Sequence, residues 1–244
     1  MKNKILTLLE ELKFTGMAQS LDKQLAQAQK QGSSVQKILY QLLVEESRFR
    51  QERSIKYRIQ QAKLPFDWTL NSFPFEQKPE INKTQIMTLS GLDFVQQGTN
   101  IVFIGKTGTG KTGLATGILR QGLLNGYRGR FYYVQDLLDE LYASLADRTT
   151  PKLFRYLCNL DILLLDELGY LTLKSEQMNA FFKLLAERYD ANKSTIITTN
   201  LDYPKWYDLL QPKDMVDALI DRLKHRCITI NITGSSLRTN NTND

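Results

Sequence analysis

The sequence is poor in residues that mark several classes of protein. It has 244 residues but only two cysteines and one histidine. Cys158 and Cys227 lack the spacing of metal ligands, and such cysteines are usually small buried hydrophobes in a reducing compartment. His225 is more typical of a helix end or a core than of a catalyst. We therefore assign no function to these three residues.

Long apolar runs are also missing. No stretch approaches the ~20 apolar residues that a membrane-spanning helix needs. The N-terminus lacks the pattern of a signal peptide. We therefore expect a cytosolic protein with no membrane segment.

Negative charge is scarce in the first quarter of the chain. Residues 1–65 contain 12 Lys and Arg but 6 Asp and Glu, whereas residues 66–244 contain 20 of each kind. All the excess positive charge therefore lies in the N-terminal region. This asymmetry predicts an N-terminal module that meets a polyanion, followed by a neutral domain.

The N-terminal region has the apolar spacing of helices. The spacing predicts a helix over 5–29 and a break at Gly32. A second helix, capped by Ser33 or Ser34, carries apolar residues at 38, 39, 42 and 43, and a third, charged helix covers 45–63. One face of this last helix is basic and could follow a phosphate backbone. Its residues are Arg50, Arg53, Lys56 and Lys63. Three glutamates dilute the positive charge, so an ordinary solvated face is the alternative.

The central motif begins with a short apolar run, residues 101–104, that predicts a buried strand. The pattern Gly-x-x-x-x-Gly-Lys-Thr follows at 105–112 and is typical of a phosphate-binding loop before a helix. We expect Lys111 to reach the β- and γ-phosphates and Thr112 to ligate Mg²⁺. The residues predicted to surround the nucleotide are Gly105, Lys106, Thr107, Gly108, Thr109, Gly110, Lys111, Thr112 and Gly113.

Polar residues end two later strands. Asp166 and Glu167 follow the apolar run 163–165 at the end of a predicted strand, and Asn200 follows the predicted strand 194–199. At the carboxyl edge of a parallel sheet, Asp166 could hold Mg²⁺ together with Thr112, and Glu167 could polarise the attacking water. Asn200 could position that water, or it could be an ordinary turn residue.

Strands and helices alternate from residue 101 to 232, which predicts a three-layer α/β domain with a parallel sheet and right-handed crossovers. Only twelve residues follow the last predicted strand, 227–232, so the sequence leaves no room for a C-terminal helical lid. Phosphoryl transfer also needs positive charge near the γ-phosphate, commonly an arginine from a neighbouring subunit. We prefer Arg222 over the other candidates, Arg188 and Arg238.

Four segments, 105–112, 166–171, 196–201 and 221–226, resemble in order and spacing an IstB-type ATPase, an AAA+ transposition helper related to DnaC-type helicase loaders. Residues 8–18 are also similar to that family's helical N-terminal domain. The resemblance implies ATP and Mg²⁺ as cofactors, with Lys111 and Thr112 in Walker A and Asp166 and Glu167 in Walker B. It also implies Asn200 as sensor 1 and Arg222 as the arginine finger.

The resemblance further implies an ATP-dependent homo-oligomer, ring or helical, that assembles on double-stranded DNA beside a DDE-type transposase. It strengthens the DNA-facing interpretation of the basic helix. Two departures are Lys106-Thr107, where Pro-Pro is more usual, and Gly113, where His is common. The sensor 2 role stays unassigned, with Arg238 a weak candidate.

We therefore predict four regions: a basic helical domain at 1–65, a linker at 66–80, an AAA+ ATPase domain at 81–233, and a flexible tail at 234–244. A helicase loader that binds single-stranded DNA is the main functional alternative, because the same ATPase core serves both. A nucleotide kinase or another metabolic enzyme with a phosphate loop would need a mobile substrate lid, and no long insertion could form one. A catalytically inactive scaffold completes the alternatives.

Overall fold

A computed structural model describes residues 2–169, 174–210 and 212–237 of the protein. The chain divides into two compact units, Met1–Tyr57 and Arg58–Asp244. The sequence predicts this division at residue 65, whereas the structure has it inside a continuous helix. The reason is that the end of that helix belongs to the second unit, where Ala62 is fully buried.

The first unit contains helices α1 (Lys2–Glu11), α2 (Thr15–Gln31) and most of α3 (Val35–Ala62). The predicted helix over 5–29 is interrupted just before α2, where Lys13 has a left-handed φ of 59°. Gly32 ends α2 with a φ of 58°. The Ser34 hydroxyl accepts a hydrogen bond from the Lys37 N–H at 3.3 Å, so Ser34 caps α3 as one alternative predicted.

Close packing inside the first unit depends on Gly16 and Glu46. A Cβ on Gly16 would lie 2.7 Å from the Cβ of Phe49, so only glycine permits this approach of α2 to α3. The Glu46 carboxylate accepts hydrogen bonds from the N–H groups of Gly16 at 2.7 Å and Met17 at 3.1 Å. Glu46 thus satisfies two backbone donors at the start of α2 from a neighbouring helix.

After the end of α3, the second unit has a 3-10 helix at Phe75–Gln77 and then helices and strands. In chain order these are α4 (Lys83–Leu89), α5 (Asp93–Gln96), β1 (Asn100–Gly105), α6 (Lys111–Leu124), β2 (Gly129–Tyr133), α7 (Val134–Ala146), α8 (Thr150–Cys158), β3 (Ile162–Leu168), α9 (Ser175–Asp190), β4 (Ser194–Thr199), α10 (Tyr203–Leu209), α11 (Lys213–His225) and β5 (Cys227–Ile232). The strands form one sheet in the order β2-β3-β4-β1-β5, with parallel pairing throughout.

Both faces of this sheet are covered. Successive strand residues alternate between two apolar clusters: Ile101 and Phe103 join one, and Val102 and Ile104 join the other. Such two-sided burial explains why the strands are almost continuously apolar in sequence. The predicted three-layer parallel fold and the helical N-terminal region are confirmed.

Three segments of the second unit differ from their sequence-based description. The predicted helix over 81–97 is two short helices, because Leu92 between them has a φ of 66°. The predicted linker contributes Leu70 and Phe73 to the core. The predicted flexible tail begins with residues 234–237, and Leu237 packs against that same core. The remainder of the tail, 238–244, lies outside the described residues.

Candidate functional site

The phosphate loop follows β1 at the carboxyl edge of the sheet and leads into α6. Gly108 and Gly110 have φ values of 82° and 97°, a region that favours glycine. The Lys111 ammonium donates hydrogen bonds to the carbonyl oxygens of Gly105 at 2.8 Å and Lys106 at 2.9 Å. The Lys111 side chain therefore folds back onto the phosphate loop, the loop to which the motif assigns it.

Thr112 in the first turn of α6 reaches across to β3. Its hydroxyl lies 3.0 Å and 3.1 Å from the two carboxylate oxygens of Asp166. Asp166 is 1% exposed, and its burial raises the pKa of the carboxyl even though Thr198 and Thr112 donate hydrogen bonds to it. The structure thus brings together the two residues that the sequence predicts to hold Mg²⁺.

Glu167 occupies an irregular position in β3. The pairing of β3 with β4 advances from Leu165 to Leu168 on one strand but only from Ile197 to Thr199 on the other, which is a β-bulge. Glu167 sits in this bulge with a φ of 63°, while its side chain is exposed. A left-handed conformation is costly for a residue other than glycine and is found preferentially at functional sites. The bulge re-aims the Glu167 carboxylate relative to that of Asp166.

The structure adds Thr198, which the sequence analysis did not select. Its hydroxyl donates a hydrogen bond of 2.5 Å to Asp166 and accepts one of 3.1 Å from the Glu167 N–H. Thr198 therefore links the buried carboxylate to the backbone of the exposed one. Its signal in the sequence is weak: a hydroxyl in the middle of a buried apolar strand, next to another threonine.

Tyr133 is a second addition. It ends β2 directly opposite Asp166 in the strand register, and it is partly exposed at the same edge. Burial raises the pKa of its hydroxyl, and the negative charges of Asp166 and Glu167 raise it further. Tyr133 therefore stays protonated and can donate a hydrogen bond at this edge.

Asn200 lies directly after β4, as predicted, and therefore belongs to the same sheet edge. Its side-chain oxygen lies against Gly169, close enough that a Cβ on that glycine would overlap it. Gly169 is two residues beyond Glu167, so the amide group is near the end of β3. A role for Asn200 in positioning water stays a prediction.

Arg222 lies at the amino ends of the strands, opposite the carboxyl ends where the phosphate loop is found. It lines a cavity of about 250 Å³ together with Asn100 and Thr195, which stand at the beginnings of β1 and β4. The phosphate loop follows the end of β1, and six residues of strand span about 17 Å. Arg222 is exposed but lies far from the phosphate loop of its own chain.

Arg188, one of the alternatives to Arg222, is completely buried. Its guanidinium donates hydrogen bonds to three carbonyl oxygens and to the Thr195 hydroxyl. Burial lowers its pKa to about 10. Arg188 thus joins the amino ends of the strands and does not project toward a ligand. Arg238 lies outside the described residues.

The four predicted DNA-contact residues do not form one uniform face. The Arg50 guanidinium pairs with Glu46 at 2.6 Å and lies over the Phe14 ring. Arg53 and Lys56 are exposed on α3. Lys63 follows the end of α3 with a φ of 50°, so it does not continue the helical face on which the sequence places it. The helix ends there because Pro65 follows closely.

Gly113 has a steric explanation. A Cβ at this position would overlap the ring of Trp68, which packs on the first turn of α6. The aromatic residue comes from the predicted linker. The ring of Trp68 therefore requires glycine at position 113. This contact accounts for the departure from histidine noted in the sequence.

The donor set fits a magnesium ion. Mg²⁺ prefers oxygen ligands and is usually held by one or two carboxylates together with substrate phosphates and waters. Asp166 and Thr112 supply one buried carboxylate and one hydroxyl beside the phosphate loop. Among the described residues, no group of three or more His, Cys, Asp or Glu forms a separate metal cage. A bound cation would neutralise the negative charge of the buried Asp166 carboxylate, a group whose pKa is raised.

Sequence comparisons find close relatives among insertion-sequence proteins. Residues 7–244 match the family described as IstB-like ATP binding protein. An ATP-binding protein assigned to insertion sequence IS21 of Pseudomonas aeruginosa is 32% identical over 95% of this chain and 87% of its own length. One assigned to IS232 of Bacillus thuringiensis subsp. berliner is 32% identical over 98% of this chain and 96% of its own length.

Solved structures share the fold of a large part of this chain. The crystal structure of the DnaC helicase loader matches with a TM-score of 0.54 and 26% identity, covering 62% of this chain and 87% of that one. The replication initiator DnaA bound to AMPPCP and single-stranded DNA matches with a TM-score of 0.60 and 22% identity over 71% of this chain and 52% of that one. No helix in the described ranges is long and apolar enough to cross a membrane. By family match and by fold, this chain belongs to the IstB-like ATP-binding proteins, with an AAA+-type α/β domain.

Proposed function

We propose that this protein is an ATP-hydrolysing, DNA-binding transposition helper. It would assemble as a homo-oligomer on double-stranded DNA and assist a DDE-type transposase in target selection and strand transfer. The observation that carries the proposal is the arrangement at the carboxyl edge of the sheet. There Lys111, Thr112, Asp166 and Glu167 converge on the phosphate loop, and Glu167 is held apart in a bulge.

Each residue has a role that follows from its position. Lys111 would release the loop carbonyls and bind the β- and γ-phosphates. Thr112 and Asp166 would hold Mg²⁺, which supplies charge neutralisation to the phosphates when bound. Exposed Glu167 would orient and polarise the attacking water, while Asn200 would help to place it.

The position of Arg222 supports an assembly. An exposed arginine at the amino edge of the sheet cannot reach the phosphate loop of its own chain, about 17 Å away by the length of β1. It can act on a nucleotide only when another subunit presents its carboxyl edge. ATP would then join neighbouring subunits, and hydrolysis would release them.

DNA binding is supported by the charge of the N-terminal region, where basic residues outnumber acidic ones two to one over residues 1–65. Arg53 and Lys56 are exposed on α3 and can reach phosphates. Arg50 is the weakest of the four candidates, because Glu46 already holds its guanidinium. Lys63 would contribute from outside the helix.

The test is DNA binding by Glu167→Gln, which should bind ATP but hydrolyse it slowly. We expect this variant to bind labelled duplex DNA tightly in large assemblies with ATP, and weakly with ADP, at matched salt. Arg222→Ala in the same background should lose the large assemblies, because the subunit junction lacks its bridge. Rapid disassembly of Glu167→Gln in ATP would sink the proposal.

A helicase loader is the second candidate, because the DnaC helicase loader shares the fold and 26% identity. That function predicts preference for single-stranded DNA and capture of a replicative helicase. The same binding experiment with a single-stranded probe of equal length separates the two. Binding to neither DNA would instead favour a metabolic enzyme.

A further inference from the structure

A short segment after β5 runs along the outside of the phosphate loop. The Leu237 N–H donates a hydrogen bond of 2.8 Å to the Gly108 carbonyl oxygen. The side chain of Ser236 lies against Gly108, and that of Leu237 lies against Gly110. At the other end of the loop, Gly105 packs on the Ile232 carbonyl group. One continuous stretch, 232–237, therefore follows the loop from its first glycine to its last.

Lys78 fastens this segment to the rest of the unit. Its side chain is 1% exposed, and its ammonium donates a hydrogen bond to the Ser235 carbonyl oxygen. The ammonium also lies 3.4 Å from the Glu80 carboxylate. Glu80 in turn touches Gly234, whose φ of 94° and contact with that carboxylate both require glycine. A buried charge is costly unless it is paired. Ser235 and Glu80 provide the partners that stabilise the buried ammonium of Lys78.

The hydrogen bond from Leu237 holds the Gly108 carbonyl group in place and thereby fixes the direction of the next N–H, that of Thr109. In a planar trans peptide the C=O and the N–H point in opposite directions. Because the Gly108 carbonyl faces outward to Leu237, the Thr109 N–H faces into the loop. In this structure it donates a hydrogen bond of 3.4 Å to the Lys106 carbonyl oxygen, which also accepts one from the Lys111 ammonium, so both interactions would have to open for phosphate to bind. The inward N–H groups of such a loop are the donors that bind phosphate.

We propose that Lys78 and residues 234–237 form a clamp that positions the phosphate loop for ATP, and that Lys78 is a positioning residue for nucleotide affinity. The inference rests on the proposed function, because it concerns the same nucleotide site. Lys78 makes its polar contacts with Ser235 and Glu80, so its loss would act through the geometry of the loop.

The first test compares ATP affinity, measured by anisotropy of a fluorescent ATP analogue, in the full chain and three lysine variants. Lys78→Met should weaken binding about tenfold, as expected for loss of a buried charged hydrogen bond. Lys78→Arg should restore most of the affinity, because it retains the charge and the donors. Lys152→Met removes a charge from an exposed position on α8 and should change nothing. In steady-state hydrolysis, Lys78→Met should raise KM by more than it lowers kcat.

The second test addresses the backbone and does not depend on the folding of the Lys78 variant. Leu237→Ala and Leu237→Pro both remove the leucine side chain, but only proline removes the N–H that binds Gly108. We expect the proline variant to bind ATP several-fold more weakly than the alanine variant, with equal thermal stability. Equal ATP affinity in these two variants, or unchanged affinity in folded Lys78→Met, would overturn the clamp. If the unmodified protein binds no ATP, the proposed function fails instead, and Lys111→Ala sets that baseline.

Discussion

Each of the two compact units contains a buried carboxylate, and the two behave in opposite ways. Glu46 in the first unit is 5% exposed, and Asp166 in the second is 1% exposed. Burial raises the pKa of both groups. For Glu46, hydrogen bonds from Arg50 and from the N–H groups of Met17 and Gly16 outweigh this effect, so the net pKa is lowered. For Asp166 the donors are two threonine hydroxyls, and the net pKa is raised.

This difference distinguishes a structural charge from a functional one. Glu46 receives a cation and two backbone donors from its own unit, so its ionised form is fully compensated. Asp166 receives hydrogen bonds from the neutral hydroxyls of Thr112 and Thr198, and the nearby charge of Lys111 lowers its pKa without offsetting the effect of burial. A buried anion with neutral partners is stabilised when a cation binds. The raised pKa and the contact with Thr112 beside the phosphate loop are consistent with the proposed role of Asp166 in binding Mg²⁺.

The largest expected effect comes from Asp166→Asn. The amide cannot provide the charge that holds Mg²⁺, so we expect ATP hydrolysis to fall by about 10³-fold. Without nucleotide the variant should be at least as stable as the unmodified protein, because a neutral amide replaces a buried carboxylate whose pKa is raised. Steady-state hydrolysis and urea unfolding without nucleotide check both parts. Loss of stability together with activity would make Asp166 structural, like Glu46.

The matching change in the first unit is Glu46→Gln. It removes the charge that holds Arg50 and weakens the cap on α2, so we expect a loss of about 2 kcal/mol in the free energy of unfolding. Hydrolysis of ATP without DNA should persist. Glu52→Gln, which alters an exposed carboxylate of the same helix, is the control and should cost less than about 0.5 kcal/mol. Equal losses in both variants would refute the capping role.

A smaller effect is expected for Thr198→Val, which keeps the shape of the side chain and removes its hydroxyl. Asp166 loses a donor and the Glu167 N–H loses its acceptor, so the bulge is less well defined. We expect kcat to fall about tenfold while KM for ATP changes little. Thr195→Val on the same strand, far from the bulge, is the control for kcat. If both variants retain full kcat, Thr198 has no part in positioning Glu167.

The sequence predicts much of the site because its signals are local. The phosphate loop, Thr112 and Asp166 each stand at a fixed place relative to an apolar strand, and strand ends meet at one edge of a parallel sheet. Thr198 and the bulge at Glu167 depend on pairing between β3 and β4, which a single sequence does not reveal. Lys78 was missed for a similar reason. Its partner lies 157 residues away, and lysine in a polar segment gives no sign of burial.

The fold shows the same division between local and long-range information. Strands β4 (194–199) and β5 (227–232) have the bounds that the sequence predicts. β4 is buried along its whole length, whereas β5 is exposed at Thr229 and Asn231. The break before α2 was not predicted, since the apolar spacing continues across Lys13. The segment that contains Leu70 and Phe73 has the prolines typical of a linker, yet both side chains are part of the core. Tertiary packing decides these cases.

The smallest expected effect, and the sharpest in sign, is the pH dependence of stability. The pKa of Glu46 is lowered on folding, so its stabilisation is present above its ordinary value of 4.5 and is lost as the pH falls through the folded value. The pKa of Asp166 is raised, so the folded state gains stability from this group as the pH falls through the folded value toward 3.8. Relative to the unmodified protein, Glu46→Gln should have a lower free energy of unfolding and Asp166→Asn a higher one at neutral pH. Both differences should become smaller on acidification. Urea unfolding without nucleotide or Mg²⁺, at neutral and acidic pH, measures both differences. An advantage of Asp166→Asn that grows on acidification would show that its carboxylate is compensated like that of Glu46, and the contrast between the two units would fail.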